Sequence, residues 1–223
     1  MKKNLFDFYI KSILKAKIEN SLCVGYEDGN ICYFEIGDKE LKWKIKAHKT
    51  NITSLNSSND KNLIVCGSRD AKISVFNISE QTGLFKLSGH TAMITQTRFY
   101  KNDLYFISSS IDGLMKIWST VSGSCLQTIP TSGENVWDFD FIFDFEYIAL
   151  GGANEMIRVM KLDFEGEKEK FEINQVANFR KTTKKKVTTL RTISEGIIGI
   201  IVFLNIKILI KGSFIILKAN NWR

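Results

Sequence analysis

The chain has 223 residues, 44% of them hydrophobic, which suits one globular domain with a real core, with or without an extension. Its four cysteines, Cys23, Cys32, Cys66 and Cys125, form no C-x-x-C pair and read as core thiols, which excludes a zinc site built from closely spaced ligands. The net charge of +7 is unevenly held: from Gly166 onward 12 Lys and Arg face 4 Asp and Glu, a net of +8, leaving 19 basic and 20 acidic side chains before it, a net of −1.

In chain order, Met1–Lys17 mixes Lys with Phe, Ile and Leu and reads as a strand with a loop, so residues 1–19 are assigned as an N-terminal strand or extension. It lacks the charged start, apolar run and small residues of a secretory leader, and its weak amphipathic character argues against a transit peptide. From residue 20 the sequence repeats itself. Asp28, Asp70, Asp112 and Asn154 stand 42 residues apart without insertion. The same step joins Gly25, Gly67, Ser109 and Gly151; Ile31, Ile73, Met115 and Ile157; and Phe34, Phe76, Trp118 and Met160. Between them recur His48, His90 and Ser132, each followed by Ile52, Ile94 or Val136. A fixed period of this size signals a repeat architecture.

Inside one period the pattern is short strands. Residues 63–78 run as an apolar segment, a polar tight turn at Arg69–Lys72, and a run in which Ile73 and Val75 face one way and Lys72 and Ser74 the other. Residues 104–120 repeat this, with Asp112-Gly113 in the turn, a dipeptide suited to positive φ. Further strands fall at 93–99 and 135–141. The unit is a small antiparallel sheet, and helical spacing of three to four is absent. Residues 20–172 are therefore read as successive sheets, 173–190 as a basic loop, and 191–223 as a degenerate final sheet or an apolar tail.

Gly89-His90, Asp112-Gly113 and Trp118 carry a resemblance to the WD-repeat family, whose repeats of about 40–45 residues begin near Gly-His and end near Trp-Asp. The resemblance implies an all-β, WD-repeat β-propeller with about four clear blades and a degenerate fifth. It also implies a hydrogen-bonded chain within a blade: His90, Ser110, Asp112 and Trp118 as a complete set, and His48, Ser68 and Asp70 with Phe76 as a set without the indole donor. In such a chain an indole N–H donates to a hydroxyl, the hydroxyl to an imidazole, and the other ring nitrogen to a carboxylate. Ser132, Gly152, Asn154 and Met160 have lost nearly all of it, and the Asp of Trp-Asp is replaced throughout, by Glu35, Asn77, Ser119 and Lys161.

The stretches 24–34, 66–95, 112–128 and 157–172, in that order, are similar to consecutive blades of the tandem-propeller WD-repeat subunits of the U3 small nucleolar ribonucleoprotein, here shortened. That resemblance implies a scaffold in the small-subunit processome, acting on 18S precursor rRNA in the nucleolus. The small number of repeats reads either as a reduced-genome eukaryote or its nucleus-like organelle, or as a fragment, with a small closed ring or an incomplete one. Implied partners are other processome WD-repeat proteins and precursor rRNA or U3 snoRNA, with no small-molecule substrate and no cofactor.

Three features bear on other functions. His48 and His90 are the only histidines, and their recurrence in one repeat position speaks for a blade network against a Ser-His-Asp catalytic set, so no catalytic or metal residue is assigned. Arg180, Lys181, Lys184, Lys185 and Lys186 read either as a solvated loop between blades or as a contact with RNA phosphate. Residues 196–217 approach the length of a membrane span, but Asn205, Lys207 and Lys211 interrupt them, so strands of a final blade fit better than a tail anchor. The alternatives carried forward are a generic WD-repeat adaptor of another complex and, behind it, a membrane-anchored propeller.

Overall fold

The computed structural model describes residues 10–15, 21–35, 40–131, 135–142, 145–153, 156–165, 170–180, 189–193, 207–210 and 213–218. Among these every regular element is a strand. Four antiparallel four-stranded sheets follow one another: β1–β4 (Ile10–Lys15, Ser21–Tyr26, Asn30–Glu35, Glu40–Lys46), β5–β8 (Ile52–Ser57, Leu63–Ser68, Ile73–Asn77, Thr82–Leu87), β9–β12 (Ile94–Tyr100, Tyr105–Ser110, Leu114–Ser119, Cys125–Pro130) and β13–β16 (Val136–Ile142, Tyr147–Gly152, Met156–Glu165, Lys170–Arg180). Each is a meander in chain order. A three-stranded sheet of β17 (Thr189–Ile193), β18 (Lys207–Ile210) and β19 (Ser213–Lys218) departs from that plan, since β19 lies between the other two. The apolar segment 196–217 thus contributes β18 and most of β19; its remainder lies outside the described residues.

The 42-residue step is written into the irregularities as well as the strands. The first two strands of each of the four sheets slip register at one place: between Ile10 and Ser12, Ile52 and Ser54, Ser109 and Ser110 (opposite Ile94 and Gln96), and Val136 and Asp138. A second bulge lies on the outer strands, where Lys42, Leu84 and Val176 are the extra residues. The hairpins repeat too. Oδ1 of Asp28, Asp70 and Asp112 accepts the amide two residues on, from Asn30, Lys72 and Leu114, at 3.0–3.1 Å. This Asx arrangement holds the following residue left-handed: φ is +82° at Gly29, +64° at Ala71 and +79° at Gly113. At the opposite end Lys61, Asp103 and Phe145 are left-handed in the same register.

The chain forms two compact units, Met1–Ser110 with Lys116–Cys125, and Ile111–Met115 with Leu126–Arg223. In the first unit the core is made where one sheet meets the next. Cys23, Ile31, Ile52, Ile64 and Cys66 form one buried cluster, backed by Trp43 and Ile45; Val65, Ile73, Ile94, Phe106 and Trp118 form another, backed by Phe85. Two glycines set the approach. A Cβ on Gly25 would lie 2.6 Å from Ile52 Cγ2, and one on Gly67 2.3 Å from Ile94 Cγ2 and 2.6 Å from Ser54 Oγ. Polar links cross the same seam: Thr53 Oγ1 donates to the Ile94 carbonyl at 2.6 Å, and the Ser54 and Thr97 hydroxyls lie 3.1 Å apart, both buried.

In the second unit Phe139, Ala149, Leu150, Ile157 and Val159 are buried, and β15 and β16 run on past β14 as a ribbon. There Leu162 and Phe171 are buried, and the Phe171 amide donates to Gln127 Oε1 on β12 at 3.2 Å. The reading of 173–190 as a loop is corrected on this side: residues 173–180 are the latter part of β16, laddered to β15 through Arg180, and Thr189 opens β17. The alternation that marks a strand is broken here by the bulge, which leaves Asn174, Gln175 and Val176 exposed in succession.

The Cβ contacts make Gly67→Ala costly, by about 1–3 kcal/mol for overpacking against Ile94. Ala71→Gly should raise stability by about 0.5–1 kcal/mol, because the left-handed conformation penalises Ala and not Gly. Urea midpoints at unchanged m-value measure both; an Ala71→Gly midpoint at or below the parent contradicts the second expectation.

Candidate functional site

Two histidines are among the polar side chains buried in the first unit. His48 lies between β4 and β5 and is 1% exposed; His90 lies between β8 and β9 and is 7% exposed. Each stands at the end of an outer strand, where the chain returns to begin the next sheet.

Trp118, on β11, is buried against Phe106, with ring centroids 6.1 Å apart and planes at 10°. Gly89 covers its far edge, where a Cβ would meet Trp118 Cη2 at 3.2 Å. The indole Nε1–H donates to Ser108 Oγ at 2.8 Å, and the same hydroxyl lies 2.8 Å from His90 Nε2. The assignment that uses every group has Ser108 accepting from the indole and donating to Nε2, leaving the proton of the ring on Nδ1. The resemblance placed Ser110 in this role. The structure places Ser108 there, one rung earlier on β10. The two hydroxyls share a face of the strand about 6.7 Å apart, so an indole fixed by packing reaches one of them only. Ser110 instead donates to the Ala92 carbonyl at 3.1 Å, and Asp112 fixes the hairpin through the Leu114 amide.

The second set keeps the geometry with changed atoms. His48 Nδ1 lies 3.1 and 3.3 Å from the two carboxylate oxygens of Asp70. A carboxylate only accepts, so Nδ1 carries the proton and Nε2 is an acceptor. Facing Nε2 at 3.4 Å is Cys66 Sγ, at the repeat position of Ser108; the thiol also reaches the Ser74 carbonyl at 3.4 Å. Ser68, like Ser110, serves the backbone, donating to the Asn51 carbonyl at 2.9 Å. Phe76, in the place of Trp118, is buried and supplies no donor. In the fourth sheet buried Leu150 stands where Ser108 does, and Met160 where Trp118 does; Ser132 and Asn154 lie outside the described residues.

The order Cys66, His48, Asp70 has the outline of nucleophile, base and orienting acid, but its electrostatics oppose that use. Burial pushes the Cys66 thiol well above its usual range, and burial also holds His48 below 6.5 against the pull of Asp70. For Asp70 burial is outweighed by His48 and by hydrogen bonds from the Lys72 and Lys49 amides and from Ser68, so its pKa falls below 3.8. The thiol stays protonated beside a neutral imidazole and yields no thiolate for attack. What the arrangement does is satisfy buried polar atoms and pin the returning loop to the second strand of its sheet. Among the described residues no three His, Cys, Asp or Glu side chains are grouped as metal ligands would be.

Ser108 and Cys66 were not singled out from the sequence. The available signal was an offset: each lies 18 residues after its histidine. Of the basic run, Arg180 ends β16 opposite Met156, while Lys181, Lys184, Lys185 and Lys186 lie outside the described residues.

The meandering four-stranded sheets, their 42-residue step and the His–Ser–Trp link define the fold as a WD-repeat β-propeller fold. Residues 39–77 and 81–119 match the family model of the WD domain, G-beta repeat. The chain is similar to a solved protein described as "Structure of U3-55K", with a TM-score of 0.69 and 16% identity over 82% of this chain and 55% of that one. It therefore spans about half the length of that structure. Matches extend to 1486 solved chains, so the likeness defines an architecture and no particular activity. No curated protein matches by sequence.

Ser108→Ala strands both the Trp118 N–H and His90 Nε2, at about 1–3 kcal/mol each, whereas Ser110→Ala removes one bond to backbone at about 1 kcal/mol. Trp118→Phe, which breaks the same link, should cost more than Phe76→Leu, and a Ser108→Ala/Trp118→Phe double mutant should be less destabilised than the sum. Denaturant titration of the four variants and the double checks the ranking. Acid acts in two windows. The unfolded chain protonates His48 more readily than the folded one, so stability falls as pH drops below about 6.5. The Asp70 contribution is present above 3.8 and is lost below it, toward its lowered folded pKa. His48→Gln should flatten the first window and shrink the second, because it removes the first of the groups that hold Asp70 low and leaves the Lys72, Lys49 and Ser68 hydrogen bonds, in melting curves between pH 7.5 and 3.

Proposed function

We propose that this protein is a non-catalytic scaffold subunit of the U3 small nucleolar ribonucleoprotein, working within the small-subunit processome on 18S precursor rRNA. Its place of action in this reading is the nucleolus. Its partners are other processome WD-repeat proteins, with precursor rRNA or U3 snoRNA reached through Arg180, Lys181, Lys184, Lys185 and Lys186. The observation that carries the reading is the order and spacing of the blade sequences across residues 20–190, which resemble the tandem-propeller subunit known as WD-repeat protein three in animals. The likeness of fold to U3-55K over 82% of the chain accords with it. So does the +8 carried after Gly166, a charge that packing of strands does not require.

A generic adaptor shares the fold and needs no RNA. The two readings separate in the cell: the tagged full chain, crosslinked and purified, should bring down U3 snoRNA and precursor rRNA above other abundant RNAs. Replacing the five basic residues by Ala should lower that RNA yield with little dependence on RNA sequence and with unchanged folding. Recovery of protein partners without either RNA would leave the adaptor reading standing in its place.

A further inference from the structure

The three complete outer strands of the first three sheets occupy equivalent places yet differ sharply in charge. β4 reads Glu-Leu-Lys-Trp-Lys-Ile-Lys and runs on through Ala47 and His48 to Lys49. At the positions of Lys42, Lys44 and Lys46 the next strand carries Leu84, Lys86 and Ser88, and the one after it Leu126, Thr128 and Pro130. The fold therefore does not demand three lysines in this slot. Lys86 has a structural use, its ammonium donating to the Ala47 carbonyl at 3.1 Å.

On β4 the alternation separates the two faces. Trp43 and Ile45 turn to the core, Trp43 stacked on Tyr33 at 5.2 Å with planes 2° apart, while Lys42, Lys44 and Lys46 are exposed, as is Lys49 beyond them. Alternate strand residues rise by about 6.7 Å, so Lys44 and Lys46 leave the strand at a step comparable to the separation of successive phosphates on an extended strand, and Lys49 continues the row beyond the strand end. Glu35 pairs with Lys42 at 2.9 Å between half-exposed side chains, and Lys46 donates to the Asp28 carbonyl, which consumes no negative charge.

We propose that the β4 ladder, centred on Lys44, Lys46 and Lys49, is a contact surface for the phosphate backbone of a single RNA strand. It uses none of the basic residues at 180–186 and does not rest on the proposed role in a ribonucleoprotein. Lysine suits this role as a mobile point charge for phosphate. The contact is blind to base, because the one aromatic of the strand, Trp43, is committed to the core. An acidic peptide is the less suitable occupant: it would add to the free edge of β4 by main-chain pairing, and the bulge at Lys42 interrupts that edge.

The test uses the full chain and a fluorescent oligouridylate, with binding followed by anisotropy over a range of salt. Lys44→Ala/Lys49→Ala should weaken binding several-fold and flatten the log–log salt slope by about 0.7 per lysine, hence about 1.4 for the pair. Lys44→Glu/Lys49→Glu should weaken it further, with unchanged circular dichroism and melting. Lys61→Ala/Lys101→Ala, of equal charge change on other turns, should bind as the parent does. Equal losses in that control pair, an unchanged slope in the ladder variants, or tighter binding of a fluorescent polyglutamate than of the RNA would each overturn the proposal. A five-fold Ala variant of residues 180–186, measured alongside, reports on the other basic run and leaves the ladder result legible by itself.

Discussion

The first unit depends on a close approach of consecutive sheets at their inner strands. Ile52 and Ile94 each press into a space that exists because Gly25 and Gly67 lack a side chain, and the bulge beside each isoleucine turns the strand to fit. Once that seam is set, the faces behind it must be apolar, and the returning loop must cross from an outer strand to the next inner one. The crossing buries polar backbone and an imidazole. The histidine links follow from this: they satisfy a loop that packing has taken out of water.

Much of this could be read in the sequence because it recurs. Asp28, Asp70 and Asp112 marked the hairpins, and the left-handed residue after each is Gly in two cases and Ala in the third. Gly25 and Gly67 stood out by spacing alone, though what they make room for did not. The hydroxyl of the Trp118–His90 link was misplaced by two residues, since a period of two puts Ser108 and Ser110 on one face and cannot say which rung an indole reaches. Cys66 was passed over because a thiol facing an imidazole looks, in sequence, like any other core cysteine.

The second unit was less legible for a different reason. β16 carries few of the apolar residues that announce a strand, and its bulge at Val176 shifts the alternation midway, so Glu172–Asn178 resembles a polar connection. The ladder to β15 still forms, because backbone pairing asks only that the partner strand be held, and Ile157, Val159 and Leu162 hold it. Charge misled in a complementary way. The excess after Gly166 drew attention to the C-terminal quarter, while the lysines of β4 were hidden within a region whose acidic and basic side chains nearly cancel.

The outer bulges also record where this architecture tolerates growth. Lys42 and Leu84 are one repeat apart, but Val176 stands 92 residues after Leu84, eight more than two repeats, and those residues lengthen the β15–β16 ribbon. The first strands keep strict step up to the insertion, from Ile52 to Ile94 to Val136, and the next, β17, opens only at Thr189. Extra length in the fourth sheet thus enters as paired rungs on its last hairpin, where loop closure costs little, and each new pair of rungs offers fresh surface. Insertions, tags or grafted recognition sequences therefore belong at the tips of the outer hairpins, and the same length added before Ile52 or Ile94 would misalign every contact downstream of it.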